Sequence, residues 1–206
     1  MTQRTTKAVN TRRRILNAAF REITTKGYIG ANINKIVAAS GVTKGALYYY
    51  FKSKHELAMA VIDEVIGSKV LGEWLKPLSE FANPIDGLRR IVNDTLANRD
   101  VDDVDSSALM MRLTLGTASI DRAFRQQLKH MHETVLRVTS EKLSIGKRRN
   151  LVRSSVDPTA VATQFVAFLT GTIYLATAFQ DSAHLRDGQL SLHNWLDTMR
   201  TRRSRS

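Results

Sequence analysis

Three clusters in the first fifty-four residues combine cations with helix starts, where they are out of place. Arg12, Arg13 and Arg14 fall in the first turn of one expected helix, Lys44 opens a second, and Lys54 opens a third. A helix start carries partial positive charge, so each such cation costs about 0.3–1 kcal/mol in isolation. An anion placed there reverses the sign, because orphan N–H groups and the cations then face it together. The run Tyr48-Tyr49-Tyr50-Phe51 adds a second clue. Successive helical residues point about 100° apart, so with Leu47 and Phe51 inward at least one Tyr hydroxyl faces solvent or a partner. Gly45, near a helix start, costs about 1 kcal/mol of helix propensity and is better explained by close backbone approach to another molecule. Together these groups fit a phosphate backbone and base edges.

The elements that must carry these groups follow from periodicity. Leu16, Ala19, Phe20 and Ile23 lie at i, i+3, i+4 and i+7, which predicts a helix over 11–26 ended by Gly27. Asn32 caps a second helix with Ile33, Ile36 and Val37 on its buried face. Ser40-Gly41-Val42 turns the chain, and Thr43 caps a third helix carrying Leu47 and Phe51. Two helices joined by so short a glycine-containing turn form a helix-turn-helix. Ser53 and Glu56 have the spacing of a capping box at the start of a fourth helix.

Charge is distributed as the same picture requires. The 206 residues contain 31 Lys+Arg and 19 Asp+Glu, a formal net charge of +12. Residues 1–54 hold eleven basic side chains and one acid, Glu22, whereas 55–199 are close to neutral and the end adds four Arg. A strongly basic head on a neutral body implies a polyanionic partner for the head, nucleic acid first and an anionic membrane surface second.

Other chemistries find little support. There is no Cys, which removes disulfides, thiolate metal sites and cysteine nucleophiles. Asp102, Asp103 and Asp105 lack the glycine and distal Glu of a calcium loop. His130 and His132, two apart on a helix, point to nearly opposite faces and cannot chelate one metal. No catalytic constellation, phosphate-cradling glycine loop, metal site or cofactor is expected, so the chain reads as a non-enzyme. The apolar stretch after Arg12-Arg13-Arg14 breaks at Arg21-Glu22, too soon for an export signal. Residues 160–179 carry no charge, but their Thr, Gln and Gly content favours a helix buried on every side, by its own domain or a partner subunit, over a membrane span. The expected location is the cytoplasm.

The stretch 15–57, ILNAAFREITTKGYIGANINKIVAASGVTKGALYYYFKSKHEL, strongly resembles the DNA-binding domain of the TetR family of bacterial regulators. The resemblance rests on the Ala-rich first helix, Lys26-Gly27-Tyr28, the Gly41-Val42-Thr43-Lys44-Gly45 turn, and Leu47-Tyr48 through Phe51, Ser53-Lys54 and Glu56-Leu57. It implies an all-α homodimer with an N-terminal three-helix DNA-binding domain and a larger helical domain that binds a small-molecule effector and dimerises. Carried over by position, Lys44, Gly45, Ala46, Tyr48 and Tyr49 face the major groove or its flanking phosphates. Asn34 becomes a base-contacting side chain, and Asn32, Tyr50 and Lys54 become phosphate clamps. Ala46 is small where family members often carry a base reader, and Asn32 stands where Thr or Ser is commoner.

Expected boundaries are 1–54 for the head with a basic arm at 1–10, 55–200 for the body, and 201–206 for a basic tail. Body helices are expected at 53–70, 86–97, 106–117, 122–143, 157–180 and 190–200, with Gly116 and Gly188 marking boundaries. Met110, Met111, Phe124, His130, Phe165 and Tyr174 are candidates for lining an effector pocket. Phe168, Thr172, Leu175, Phe179, Leu192 and Trp195 are candidates for a dimer interface. The expected function is a ligand-responsive repressor on a near-palindromic operator in double-stranded DNA, with an architectural, weakly specific DNA-binding protein as the alternative.

Overall fold

A computed structural model of the chain describes residues 3–97 and 121–201. Among these residues the regular structure is helical, with one isolated antiparallel bridge between Val152 and Arg200. Helix α1 spans Gln3–Gly30 and is interrupted at Gly27, which has φ 69°. Helices α2 (Ile33–Ser40) and α3 (Lys44–Tyr50) follow. A continuous helical run, 54–80, is α4. It begins as Lys54–Ala60 and ends as Lys76–Glu80, with wide i→i+5 turns at Val61–Ile66 and Leu71–Leu75 on either side of Gly67–Val70. Helices α5 (Pro84–Leu96), α6 (Arg122–Arg148), α7 (Pro158–Phe179) and α8 (Ala183–Asp197) complete the described set.

Helix starts obey local chemistry. The side chains of Asn32, Thr43, Ser53, Asn83 and Asp157 each accept a backbone N–H from the first turn that follows. Replacing such a cap with Ala typically costs ~1 kcal/mol. Ser53 accepts from Glu56 N–H at 3.0 Å, but Glu56 returns its carboxylate to Lys52 N–H at 2.8 Å, one residue earlier than an ordinary capping box. Helix α1 starts well before residue 11, so Arg12, Arg13 and Arg14 lie in its interior and not in its first turn. The expected penalty at that helix start therefore does not arise; Lys44 and Lys54 do open their helices.

Packing divides the described chain into two units. Unit 1 comprises residues 3–68 with 121–129, and unit 2 comprises 69–97 with 130–201. Unit 1 buries Ile15, Ala19, Ile36, Leu47, Phe51 and Leu57 from α1 to α4, and Phe124 from α6, each essentially fully. A fully buried side chain of this kind contributes about 1.5–3 kcal/mol. Unit 2 buries Leu88 and Ile91 of α5, Phe165 and Leu169 of α7, and Leu192 and Leu196 of α8.

Gly188 lies inside α8 and does not mark a boundary. A β-carbon there would sit 2.6 Å from Thr172 Oγ1, so glycine is what lets α7 and α8 approach so closely. Thr172 and Leu192 are consequently buried within this chain, at 5% and 0% exposure, and their reading as dimer-interface residues is corrected to internal core. Helix α7 is long and apolar enough to cross a membrane by length and composition. Only part of it is covered. Val161, Phe165, Leu169 and Ala176 are buried, while Phe168, Tyr174, Leu175 and Phe179 remain exposed.

Candidate nucleic-acid interface

The helix-turn-helix is assembled from α2 and α3, with α1 as its support. Gly41 ends α2 in the left-handed region (φ 61°, ψ 33°), and its N–H donates to the Ala38 carbonyl. An L side chain rarely adopts that conformation. The Gly41 carbonyl in turn accepts from Arg14 Nη2 at 3.2 Å, so α1 holds the turn directly. The start of α2 is held in the same way: Glu22 of α1 accepts the Asn32 N–H at 3.2 Å. Asn32 uses its own side-chain oxygen to accept the Asn34 N–H at 2.8 Å. Asn34 and Lys35 are exposed just beyond it.

With Leu47 and Phe51 buried, the opposite face of α3 is open. Lys44 and Gly45 are exposed at its start and Ala46 is half-buried. A β-carbon on Gly45 would meet nothing nearer than Thr43 Oγ1 at 4.0 Å, so the chain's own packing does not demand glycine there. Tyr48 and Tyr49 are 39% and 76% exposed, and Tyr50 is half-buried with its ring edge-on to Tyr49, centroids 5.2 Å apart. Asn34, Lys44, Gly45, Tyr48 and Tyr49 therefore share open positions on the two helices of the motif. Lys54 is engaged elsewhere: its Nζ donates to the Ile29 carbonyl at 2.9 Å and lies 5.2 Å from the Tyr28 ring centroid.

Two contacts escaped the sequence reading. Arg12 donates to both carboxylate oxygens of Glu64, with Nη2 to Oε1 at 2.6 Å, and its guanidinium lies 4.9 Å from the Phe51 ring centroid. Hydrogen bonding to Glu64 pushes the Arg12 pKa up. The second is a cluster at the start of α6. Asp121 accepts the N–H groups of Ala123 and Phe124, and His55 Nε2 lies 3.1 Å from its Oδ2. The Phe124 N–H, foremost among these, holds the Asp121 carboxyl below the usual carboxylate range. Burial, and secondarily Asp121, pushes the Tyr28 hydroxyl up.

The effector-pocket candidates fall in both units, and each is described within its own. Phe124 belongs to the core of unit 1, its ring centroid 4.8 Å from those of both Tyr28 and His55, because aromatic packing draws the first turn of α6 inward. Phe165 belongs to unit 2, buried against Trp74 with centroids 5.9 Å apart. His130 and Tyr174 are exposed, and the buried stripe of α6 passes through Leu128, Met131 and Val135. Met110 and Met111 lie outside the described residues. Of the dimer candidates, Phe168, Leu175 and Phe179 are exposed, and Trp195 is half-buried with its ring 6.2 Å from Phe168. Among the described residues no three His, Asp or Glu side chains gather as a metal site.

Comparison with known proteins bears on this geometry. Residues 15–61 match the family model of bacterial regulatory proteins of the tetR family. An uncharacterised HTH-type transcriptional regulator from the lacX 3′ region of Lactococcus lactis subsp. lactis is 29% identical over 177 residues, 84% of this chain and 86% of that protein. The A-factor receptor protein of Streptomyces griseus is 31% identical over 186 residues, 90% of this chain but 61% of the longer relative. A crystal structure of a TetR transcriptional regulator from Chloroflexus aurantiacus superposes with a TM-score of 0.82 at 20% identity, covering 95% of this chain and 99% of that one.

Proposed function

The chain belongs to the TetR family of transcriptional regulators, and from that premise we propose that it is a ligand-responsive repressor, acting in the cytoplasm as a homodimer on a near-palindromic operator. The observation that carries this reading is the outward face of α3, where Lys44, Gly45, Tyr48 and Tyr49 are open and Lys44 supplies a cation, while Leu47 and Phe51 anchor the helix beneath them. In this role Lys44, Gly45, Ala46, Tyr48 and Tyr49 enter the major groove or meet its edges, and Asn34 pairs bidentately with an adenine. Asn32 and Tyr50 fix register on phosphates, and Lys54 braces the end of α1 while it faces them. The exposed Phe168, Leu175 and Phe179 of α7 meet their counterparts in a second copy, which places two recognition helices on half-sites about 34–36 Å apart.

A small-molecule effector held in the body favours a conformation whose half-site spacing no longer fits the operator. That a relative carrying the name A-factor receptor resembles this chain over most of its length supports the sensing role. The competing reading is a sequence-tolerant architectural protein, which the basic head alone would also satisfy. A gel-shift assay at about 150 mM salt, comparing a palindrome from the protein's own promoter region with scrambled DNA, separates the two. Preference for the palindrome supports the repressor; equal affinity eliminates it.

A further inference from the structure

We infer that Arg12 is a positioning residue that clips the end of the recognition helix α3 to α4, and is not one of the phosphate contacts. Its guanidinium touches two other elements at once. Both of its terminal nitrogens donate to the Glu64 carboxylate, and its Cζ lies over the ring of Phe51, which is buried and closes α3 by donating its N–H to the Leu47 carbonyl. A planar guanidinium matches a carboxylate through two parallel hydrogen bonds while stacking on a ring, which a lysine ammonium cannot do.

The other end of the clip is placed with equal consequence. Glu64 lies in Val61–Ile66, the stretch of α4 with i→i+5 turns, where helix geometry departs from the regular α-helix. The chain leaves unit 1 by the same helix, just past Ser68. The two neighbouring arginines behave differently: Arg13 is exposed and donates to Asn10, and Arg14 donates to the turn at Gly41. One run of three arginines thus divides into a clip, an outward cation and a turn support.

This inference rests on α3 being the helix that reads DNA, and the test keeps the two claims apart. The full-length protein is titrated against the palindrome and against scrambled DNA at several salt concentrations, as wild type, R12Q, E64Q, R12Q/E64Q, R12K and the swapped pair R12E/E64R. Under the clip, R12Q, R12K and E64Q each weaken palindrome binding by about three- to ten-fold, and the double variant is no worse than either single one. The salt dependence stays as in wild type, and the swapped pair recovers part of the loss. A phosphate contact behaves otherwise: R12Q flattens the log–log salt slope by about 0.9, R12K is tolerated, and E64Q leaves binding unchanged or tighter. That pattern overturns the clip. Thermal unfolding of R12K guards against simple misfolding, since that variant retains the charge. Equal wild-type affinity for both DNAs would overturn the repressor reading, while the cycle on either DNA still decides for or against the clip.

Discussion

The outward faces of α3 and α7 expose aromatic rings to a similar degree but in different company. On α3, Tyr48 and Tyr49 are 39% and 76% exposed; on α7, Phe168, Tyr174 and Phe179 are 37%, 55% and 65% exposed. The α3 rings sit beside Lys44, with Lys35 and Lys52 close in sequence, and each carries a hydroxyl. Helix α7 has no charged residue between 158 and 179, and two of its three exposed rings are bare hydrocarbon. Exposure alone marks a surface that something else covers. The flanking charge distinguishes the two proposed partners: an anion with polar edges suits α3, and an equally apolar protein face suits α7.

The largest effect expected from this contrast follows from charging the α7 face. Leu175→Glu with Phe179→Glu should yield a monomer by sedimentation and lower operator affinity by about 100-fold or more, since the two half-sites are then no longer linked. A dimer that survives both changes would mean the apolar face serves another purpose. Next comes the side of α7 that already has a partner. Gly188→Val should destabilise the fold by about 1–3 kcal/mol through overpacking against Thr172. Thr172→Ala in the same chain should restore part of the melting temperature.

On α3 the effects are narrower. Lys44→Ala should change base preference at one position of each half-site by about 1–3 kcal/mol, read by selection from a random library. A uniform loss at every site would make Lys44 a phosphate contact instead. The smallest effect belongs to neither face. The Phe124 N–H, aided by Ala123 N–H and His55, depresses the Asp121 pKa. Its stabilising contribution is therefore present above the ordinary Asp value of about 3.9 and is lost as pH falls through the folded value. In Asp121→Asn, melting temperature should lie slightly below wild type at neutral pH and converge on it in acid. DNA affinity and mass in solution should not move.

What the sequence made legible was local. The caps Asn32, Thr43 and Ser53 depend on a hydrogen bond to a residue two or three positions on, and each forms. The inward Leu47 and Phe51 follow from helical spacing, and so does the openness of the Tyr48–Tyr49 face. The clip of Arg12 to Glu64 spans 52 residues, and neither partner has a local pattern that announces it. Gly188 looked like a stop because glycine usually disfavours helix, but its use is a close approach to Thr172, visible only once α7 and α8 are packed. The start of α1 and the length of α4 were misjudged for related reasons. No breaker precedes residue 11, and the wide turns of α4 let it run to residue 80 past the expected end at 70. Phe124 was assigned to a cavity by composition, while its neighbours Tyr28 and His55 come from distant sequence.

The internal bonds of the basic head have a kinetic consequence. Arg14 and Lys54 donate to neutral backbone carbonyls, at Gly41 and Ile29, so their hydrogen-bonding capacity is partly committed while their charge remains. Of the three, only Arg12 faces a neutralising acid, Glu64. Charge acts out to a Debye length, roughly 8–10 Å at ordinary salt and farther when salt is low, whichever way the donors point. In the repressor reading the head can therefore steer an approaching duplex at about 10⁸ M⁻¹s⁻¹ in low salt. Once in contact, fewer cations are free to grip. On the repressor reading, such a protein arrives quickly at any duplex and leaves the wrong one quickly, which shortens each unproductive visit in a search for a rare site.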